Sequence, residues 1–312
     1  MLVCIESLGT HRRLHLPSGR QRRLFVGDEV LVAYADRYAS RQFEAVVPDN
    51  LGRCHLVAAG GVAATALSWP ERVWRGPTVV TPIGLVSETP NGEPINVADW
   101  RLPEALSPNL YGPPIIAVVG TAMHSGKTTV AACLVHGLRC IHRRVGFAKV
   151  TGTGAAGDLF MLADAGADPV LDFTDMGYAS TYRVTRTDLE HILTQLVAHL
   201  QQADVDAIVL EVADGLLQPE TSALIESAVF GSLVGGLIFT ASDAMGAAFG
   251  TERLRRIGLD LLAISGVLTA SPLQVREAAA VTSLPIIGCN RLLVPTEASK
   301  LLDAAGHKET KW

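Results

Sequence analysis

Lysine is nearly missing from this chain. Of 312 residues only Lys127, Lys149, Lys300, Lys308 and Lys311 are lysines, and the last three fall in the final thirteen positions. Arginine supplies the other positive charges, so the two lysines in the body of the chain need a specific reason. Cysteine is sparse and scattered: Cys4, Cys54, Cys133, Cys140 and Cys289 are odd in number and show no C-x-x-C spacing. Neither a disulfide framework nor a zinc site is expected. No apolar run of about eighteen residues occurs, so no transmembrane helix is expected. The opening MLVCIESLGTHRRLHLP lacks a basic segment followed by a long apolar one, so no signal peptide is expected and the cytoplasm is the default location. A formal charge of only −5 argues against a protein that coats nucleic acid.

What is present is a large apolar fraction, 48%, in a chain long enough for two domains. Residues 1–105 read as a β-rich domain, a small barrel or sandwich. Pro17-Ser18-Gly19 is a turn signal between Leu14-His15-Leu16 and Arg22-Arg23-Leu24-Phe25. TVVTPIGLVSETPNGEPINV predicts a hairpin turning at Asn91-Gly92. Residues 106–114 form a proline-rich linker, since proline removes a donor and restricts the residue before it.

From residue 115 the pattern changes. IIAVVG, RVGFAKV, DAIVLEV, GGLIFTA, LLAISGVLT and LPIIGC predict strands that alternate with helices at 128–138, 158–165, 187–202, 221–230, 244–257 and 273–282. This order implies an α/β domain over 115–312, a doubly wound and mostly parallel sheet. Ligands of such sheets sit at the carboxyl ends of the strands.

The first of those ends is VVGTAMHSGKTT, Val118 to Thr129. A strand, a glycine-bearing turn and Gly-Lys-Thr opening a helix is the setting of a phosphate-binding loop. Backbone amides of Gly120, Thr121, His124, Ser125, Gly126, Lys127, Thr128 and Thr129 would surround phosphate oxygens. Lys127 would reach the β- and γ-phosphates, and the Thr128 hydroxyl would ligate Mg²⁺. The generic pattern wants glycine at Thr121, and Gly120 comes one residue early.

That shifted glycine is informative. GTAMHSGKTT resembles the loop of dethiobiotin synthetase and its relatives, within the SIMIBI class of P-loop proteins that also holds nickel-insertion GTPases and ParA-type ATPases. The resemblance covers roughly residues 115–290. It implies a nucleotide-binding α/β fold, a magnesium-binding aspartate at Asp158, and a lysine at Lys149 facing the reacting groups. N-capping alone would also explain an aspartate at Asp158. Glu211, after the apolar run AIVL, stands where an acidic Mg²⁺ or water-orienting residue is expected. Asp214 is a second acid there, although Asp-Gly is also ordinary turn chemistry. The acidic residues of the synthetase loop are replaced by Ala122 and His124, which argues against dethiobiotin as the product. KVTGTGAAGD, VLDFTDMGYAST and LEVADGLLQPE resemble, in order, the P-loop family containing D-glutamate N-acetyltransferase. That likeness implies substrate-side roles for Asp172, Thr174, Asp175 and Tyr178, against the plainer reading of a polar loop.

The late loops FTASDAMG and LTASPLQ lack the Asn-Lys-x-Asp pattern of guanine recognition, so ATP is expected. Arg12, Arg13, Arg20, Arg22 and Arg23 cluster around one turn. They are read as a solvated face or a contact with the acidic remainder of the chain, or as a lid for phosphate or carboxylate. No aromatic residues alternate with them, which disfavours nucleic acid. The whole implies a Mg·ATP-binding, ligase- or kinase-like enzyme acting on a small carboxylate or amine. Lys127, Lys149 and Glu211 would be its catalytic residues, Thr128, Asp158 and Glu211 would hold metal, and a homodimer is expected. Two alternatives stay open. One is a nucleotide-gated switch or metallochaperone, the other an acyltransferase whose loop holds coenzyme A.

Overall fold

The computed structural model describes residues 1–306. They form two compact units. The first comprises Met1–Pro103 with the excursions Gly152–Phe160 and Phe173–Arg183, and the second comprises Glu104–Thr151, Met161–Asp172 and the described residues from Val184 on.

In the first unit short strands follow closely: β1 (Leu2–Ser7), β2 (Arg13–His15), β3 (Gln21–Arg23), β4 (Glu29–Leu31), β5 (Ala33–Tyr34), β6 (Arg37–Tyr38), β7 (Glu44–Val46), β8 (Cys54–Ala58), β9 (Val62–Ser68) and β10 (Thr78–Gly84). Eight of them form one sheet along the open path β4-β1-β10-β8-β9-β7-β6, with β5 pairing β9. Successive side chains point to opposite faces of a strand. Cys54, Leu56 and Ala63 accordingly join one apolar cluster with Val3, Ile5 and Val80. Val57, Val62 and Ala64 join another with Phe43 and Ala45. Both faces of β8 and β9 therefore carry buried side chains.

The β2–β3 hairpin forms at the predicted turn and sets Arg13 directly opposite Arg23. The expected hairpin at Asn91-Gly92 is reduced to a turn and one bridge, Ser87 to Pro94. Asn91 does take a positive φ of 62°. Pro90 and Pro94 lack donors, so no ladder extends from the turn.

His11 lies against Arg37, Nη1 to Nε2 3.5 Å. Desolvation first, then the guanidinium charge, lowers its pKa from 6.5 to about 4. Between those values the unfolded chain takes up a proton that the folded chain refuses. Stability is therefore full above about 6.5 and falls as pH drops toward 4, by about 3 kcal/mol. The melting temperature of the chain should fall across this window, and His11→Gln should flatten that part of the profile.

The second unit holds β11 (Ile115–Gly120), α1 (Lys127–Arg139), β12 (Val145–Lys149), α2 (Ala156–Ala165, begun in the first unit), β13 (Val170–Asp172), α3 (Arg186–Gln202), β14 (Ala207–Glu211), α4 (Pro219–Ile225), α5 (Ala228–Leu233), β15 (Gly236–Thr240), α6 (Ala244–Arg256), β16 (Leu261–Ser265), α7 (Pro272–Val281), α8 (Cys289–Leu292) and α9 (Pro295–Gly306). The six strands are parallel in the order β13-β12-β14-β11-β15-β16, with β11 and β14 side by side near the centre. All residues of β11, β12, β14 and β15 are buried, as β-branched runs between helical layers require.

Three expectations need correction. The helix foreseen at 221–230 is two, because Ser227 caps a new start by accepting from Phe230 N at 3.0 Å. LPIIGC is not a strand but a single bridge, Ile264 to Ile286, since Pro285 has no N–H and Gly288 already caps α8. Asp158 stands in the first turn of α2 rather than before it, so it does not occupy the N-cap.

Candidate phosphate-binding site

The residues Gly120 to Thr128 link β11 to α1 and lie beside the ends of β14, β15 and β16. Gly120 must be glycine: an added Cβ would collide with the Ser125 and Thr240 hydroxyls. Those hydroxyls hydrogen-bond at 2.7 Å, and Thr240 Oγ1 donates onward to Val119 O at 3.2 Å. Gly126 takes φ 99° as the residue preceding α1, a left-handed conformation that glycine adopts without strain. His124 also has positive φ, 66°, and is exposed, as is Thr129. Thr121 N donates to Thr240 O at 2.9 Å, and Val267 N to Ser125 O at 3.1 Å. The loop is thus held by backbone and hydroxyl contacts on β15 and the turn after β16.

The loop after β14 closes on it from the other side. Leu216 N donates to Gly120 O at 3.1 Å, and Gly215 passes so near the Thr121 carbonyl that no side chain would fit. Asp214 takes φ 64° there. Its backbone carbonyl accepts from Lys127 Nζ at 2.6 Å, and Ala122 O accepts from the same ammonium at 3.0 Å. Lys127 is only 6% exposed. A phosphate oxygen would replace neutral carbonyl acceptors with a charged one, and charge-assisted hydrogen bonds are roughly twice as strong.

Beneath the loop lies a charged row fixed by strand register. Asp172 on β13, Lys149 on β12 and Glu211 on β14 are in-register neighbours, so their side chains share one face of the sheet. All three are buried. Glu211 Oε1 accepts from the Thr128 hydroxyl at 3.2 Å and lies 3.7 Å from Lys149 Nζ. Glu211 Oε2 is buried and has no partner. A buried carboxylate oxygen left so costs more than about 1–3 kcal/mol, and a cation or water would satisfy it. The donor set, a hydroxyl and a carboxylate, is all hard oxygen and suits Mg²⁺. No cluster of three or more His, Cys, Asp or Glu that could hold a metal occurs among the described residues.

Of the residues singled out from sequence, the second unit brings together Gly120, Ser125, Gly126, Lys127, Thr128, Lys149, Asp172 and Glu211. Asp158, Thr174, Asp175 and Tyr178 belong to the first unit. Asp214 contributes its carbonyl to Lys127. Sequence reasoning missed Thr240. Thr151 Oγ1 accepts from Ala213 N at 2.9 Å and ties the loops after β12 and β14 together. A hydroxyl ending the apolar strand GLIFT was the available signal for Thr240.

No family model and no curated protein matches the chain. Solved structures of low similarity do. The signal recognition particle receptor FtsY from Elizabethkingia anophelis is 16% identical, with a TM-score of 0.41 over 62% of this chain and 65% of that one. The signal recognition particle 54 kDa protein from Aeropyrum pernix K1, in complex with GDP, is 19% identical, with a TM-score of 0.41 over 62% and 49%. Chloroplast FtsY from Physcomitrella patens is 16% identical, with a TM-score of 0.40 over 67% and 70%. The chain spans less than two thirds of the length of the first of these structures.

Proposed function

We propose that the second unit binds a magnesium nucleoside triphosphate and transfers or hydrolyses its terminal phosphoryl group. One observation carries this reading. The only two lysines in the body of the chain are both buried, Lys127 where β11 gives way to α1 and Lys149 at the end of β12, and between those strands β14 ends in Glu211, which takes the Thr128 hydroxyl, lies 3.7 Å from Lys149 and keeps one buried oxygen unsatisfied. A salt-bridged lysine at a capped turn would need no such convergence.

In this reading the first-turn amides of α1, which have no acceptor within the helix, receive phosphate oxygens. Lys127 leaves the Ala122 and Asp214 carbonyls and holds the β- and γ-phosphates. Thr128 and Glu211 would hold Mg²⁺, which neutralises phosphate charge when bound. Lys149 stands across Glu211 from the loop, placed to stabilise charge on the transferring group or on a substrate carboxylate. Glu211, through its free oxygen, orients the attacking group. ATP is preferred to GTP because the loops after β15 and β16 carry no lysine, and their one acid, Asp243, caps α6 by accepting from Gly246 N at 2.7 Å. The reading includes a dethiobiotin synthetase-like ancestry within the SIMIBI class and a small carboxylate or amine as second substrate. A homodimeric assembly completes it.

Competition binding tests it. ATP should displace a fluorescent ATP analogue at lower concentration than GTP, and coenzyme A should not displace it. Turnover should rise at least tenfold with one member of a panel of small carboxylates and amines. Displacement by coenzyme A but not by ATP would overturn the reading.

A further inference from the structure

The five cysteines have no suggestive spacing in sequence, yet the fold pairs two of them. Cys133 stands in the second turn of α1, Cys289 opens α8, and the two thiols are near enough for each to shift the other's protonation. The pairing follows from how these helices pack. One turn beyond Cys133 lies Gly137, and one turn beyond Cys289 lies Leu292. Gly137 approaches the Leu292 carbonyl so closely that a side chain there would collide with it. The two backbones are thus pressed together one turn away from the two sulfurs. Both cysteines are partly exposed and neither is in a disulfide. The phosphate chemistry uses neither.

We propose that Cys133 and Cys289 form a reversible modification site, a dithiol that a peroxide or a small disulfide converts into a disulfide joining α1 to α8. The neighbouring Cys133 thiol stabilises the Cys289 thiolate and brings its pKa down to about 7, while the same pairing and burial push Cys133 up. Cys289 is therefore the attacking sulfur. With hydrogen peroxide, its thiolate forms an S–O bond as the O–O bond breaks, and the departing hydroxide takes a proton to become water. The Cys133 sulfur then attacks the Cys289 sulfur of the sulfenic acid. An S–S bond forms, the S–O bond breaks, and the Cys133 proton leaves with the second water. Two thiols lose two electrons and two protons, and one peroxide is reduced to two waters. With a small disulfide, two exchange steps give the same bond and release two small thiols.

The test is non-reducing peptide mapping of the full chain after treatment with hydrogen peroxide or oxidised glutathione. One linkage should dominate, Cys133 to Cys289, and dithiothreitol should reverse it. The oxidised chain should melt about 5 °C higher, because the bond closes a long loop. Cys289→Ser should leave Cys133 unoxidised. Cys133→Ser should trap Cys289 as a mixed disulfide with glutathione, and Cys140→Ser should change nothing. The proposal is overturned if both thiols stay alkylatable while Cys140 oxidises, or if disulfides form only between chains. No nucleotide enters the assay, so its outcome is independent of the function proposed above.

Discussion

Lys127→Ala should weaken Mg·ATP binding at least about 100-fold, equivalent to about 2.7 kcal/mol, read as displacement of a fluorescent analogue. The loss is large because the ammonium is the only side-chain cation that the loop itself supplies. Folding should survive. The carbonyls of Ala122 and Asp214 are among the lysine's partners, and solvent can reach that end of the loop, since Ala122 is exposed. Circular dichroism and melting should therefore stay close to wild type while binding is lost. A folded Lys127→Ala chain that binds ATP with unchanged affinity would remove the site from consideration.

Glu211→Gln should separate binding from turnover. The amide keeps the volume and can still accept from Thr128, so ATP affinity should change less than about threefold. Turnover should fall at least about 100-fold, the scale of a lost acid–base or ion-orienting group. Stability should also drop, by about 1–3 kcal/mol, because Lys149 loses a carboxylate 3.7 Å away while 9% exposed. The melting curve monitors this loss separately from the kinetics. If turnover is retained, Glu211 is a structural partner of Lys149 and not part of the chemistry.

The α/β half was legible because each of its signals is local. IIAVVG is a buried strand by its unbroken apolar run, and Gly126-Lys127-Thr128 opens a helix by its own chemistry. The parallel sheet followed from alternation, without knowledge of strand order. Strand order is what makes the site, however. β14 lies between β11 and β12, so Glu211 is set beside Lys149 on one side and Val118 on the other. Nothing local in AIVLEVADG specifies those neighbours. Thr240, 120 residues beyond Gly120, could not be tied to Ser125 for the same reason.

Two of the misjudged segments failed where proline competed with pattern. Pro285 turned an apolar run into one bridge, and Pro94 did the same beyond Asn91-Gly92. The N-terminal sheet was hard to read because half of its strands are only two or three residues long, too short for alternation to show. The Cys133–Cys289 pair shows the same limit: 155 residues separate the partners, and only the packing of α1 on α8 joins them.

The central claim is that the loop between β11 and α1 seats a magnesium nucleotide. Isothermal calorimetry of ATP into the wild-type chain, with and without Mg²⁺, tests it most directly. The account predicts one site per chain, with affinity falling at least tenfold when magnesium is chelated. Absence of saturable binding at millimolar Mg·ATP, by a chain shown to be folded, would contradict it.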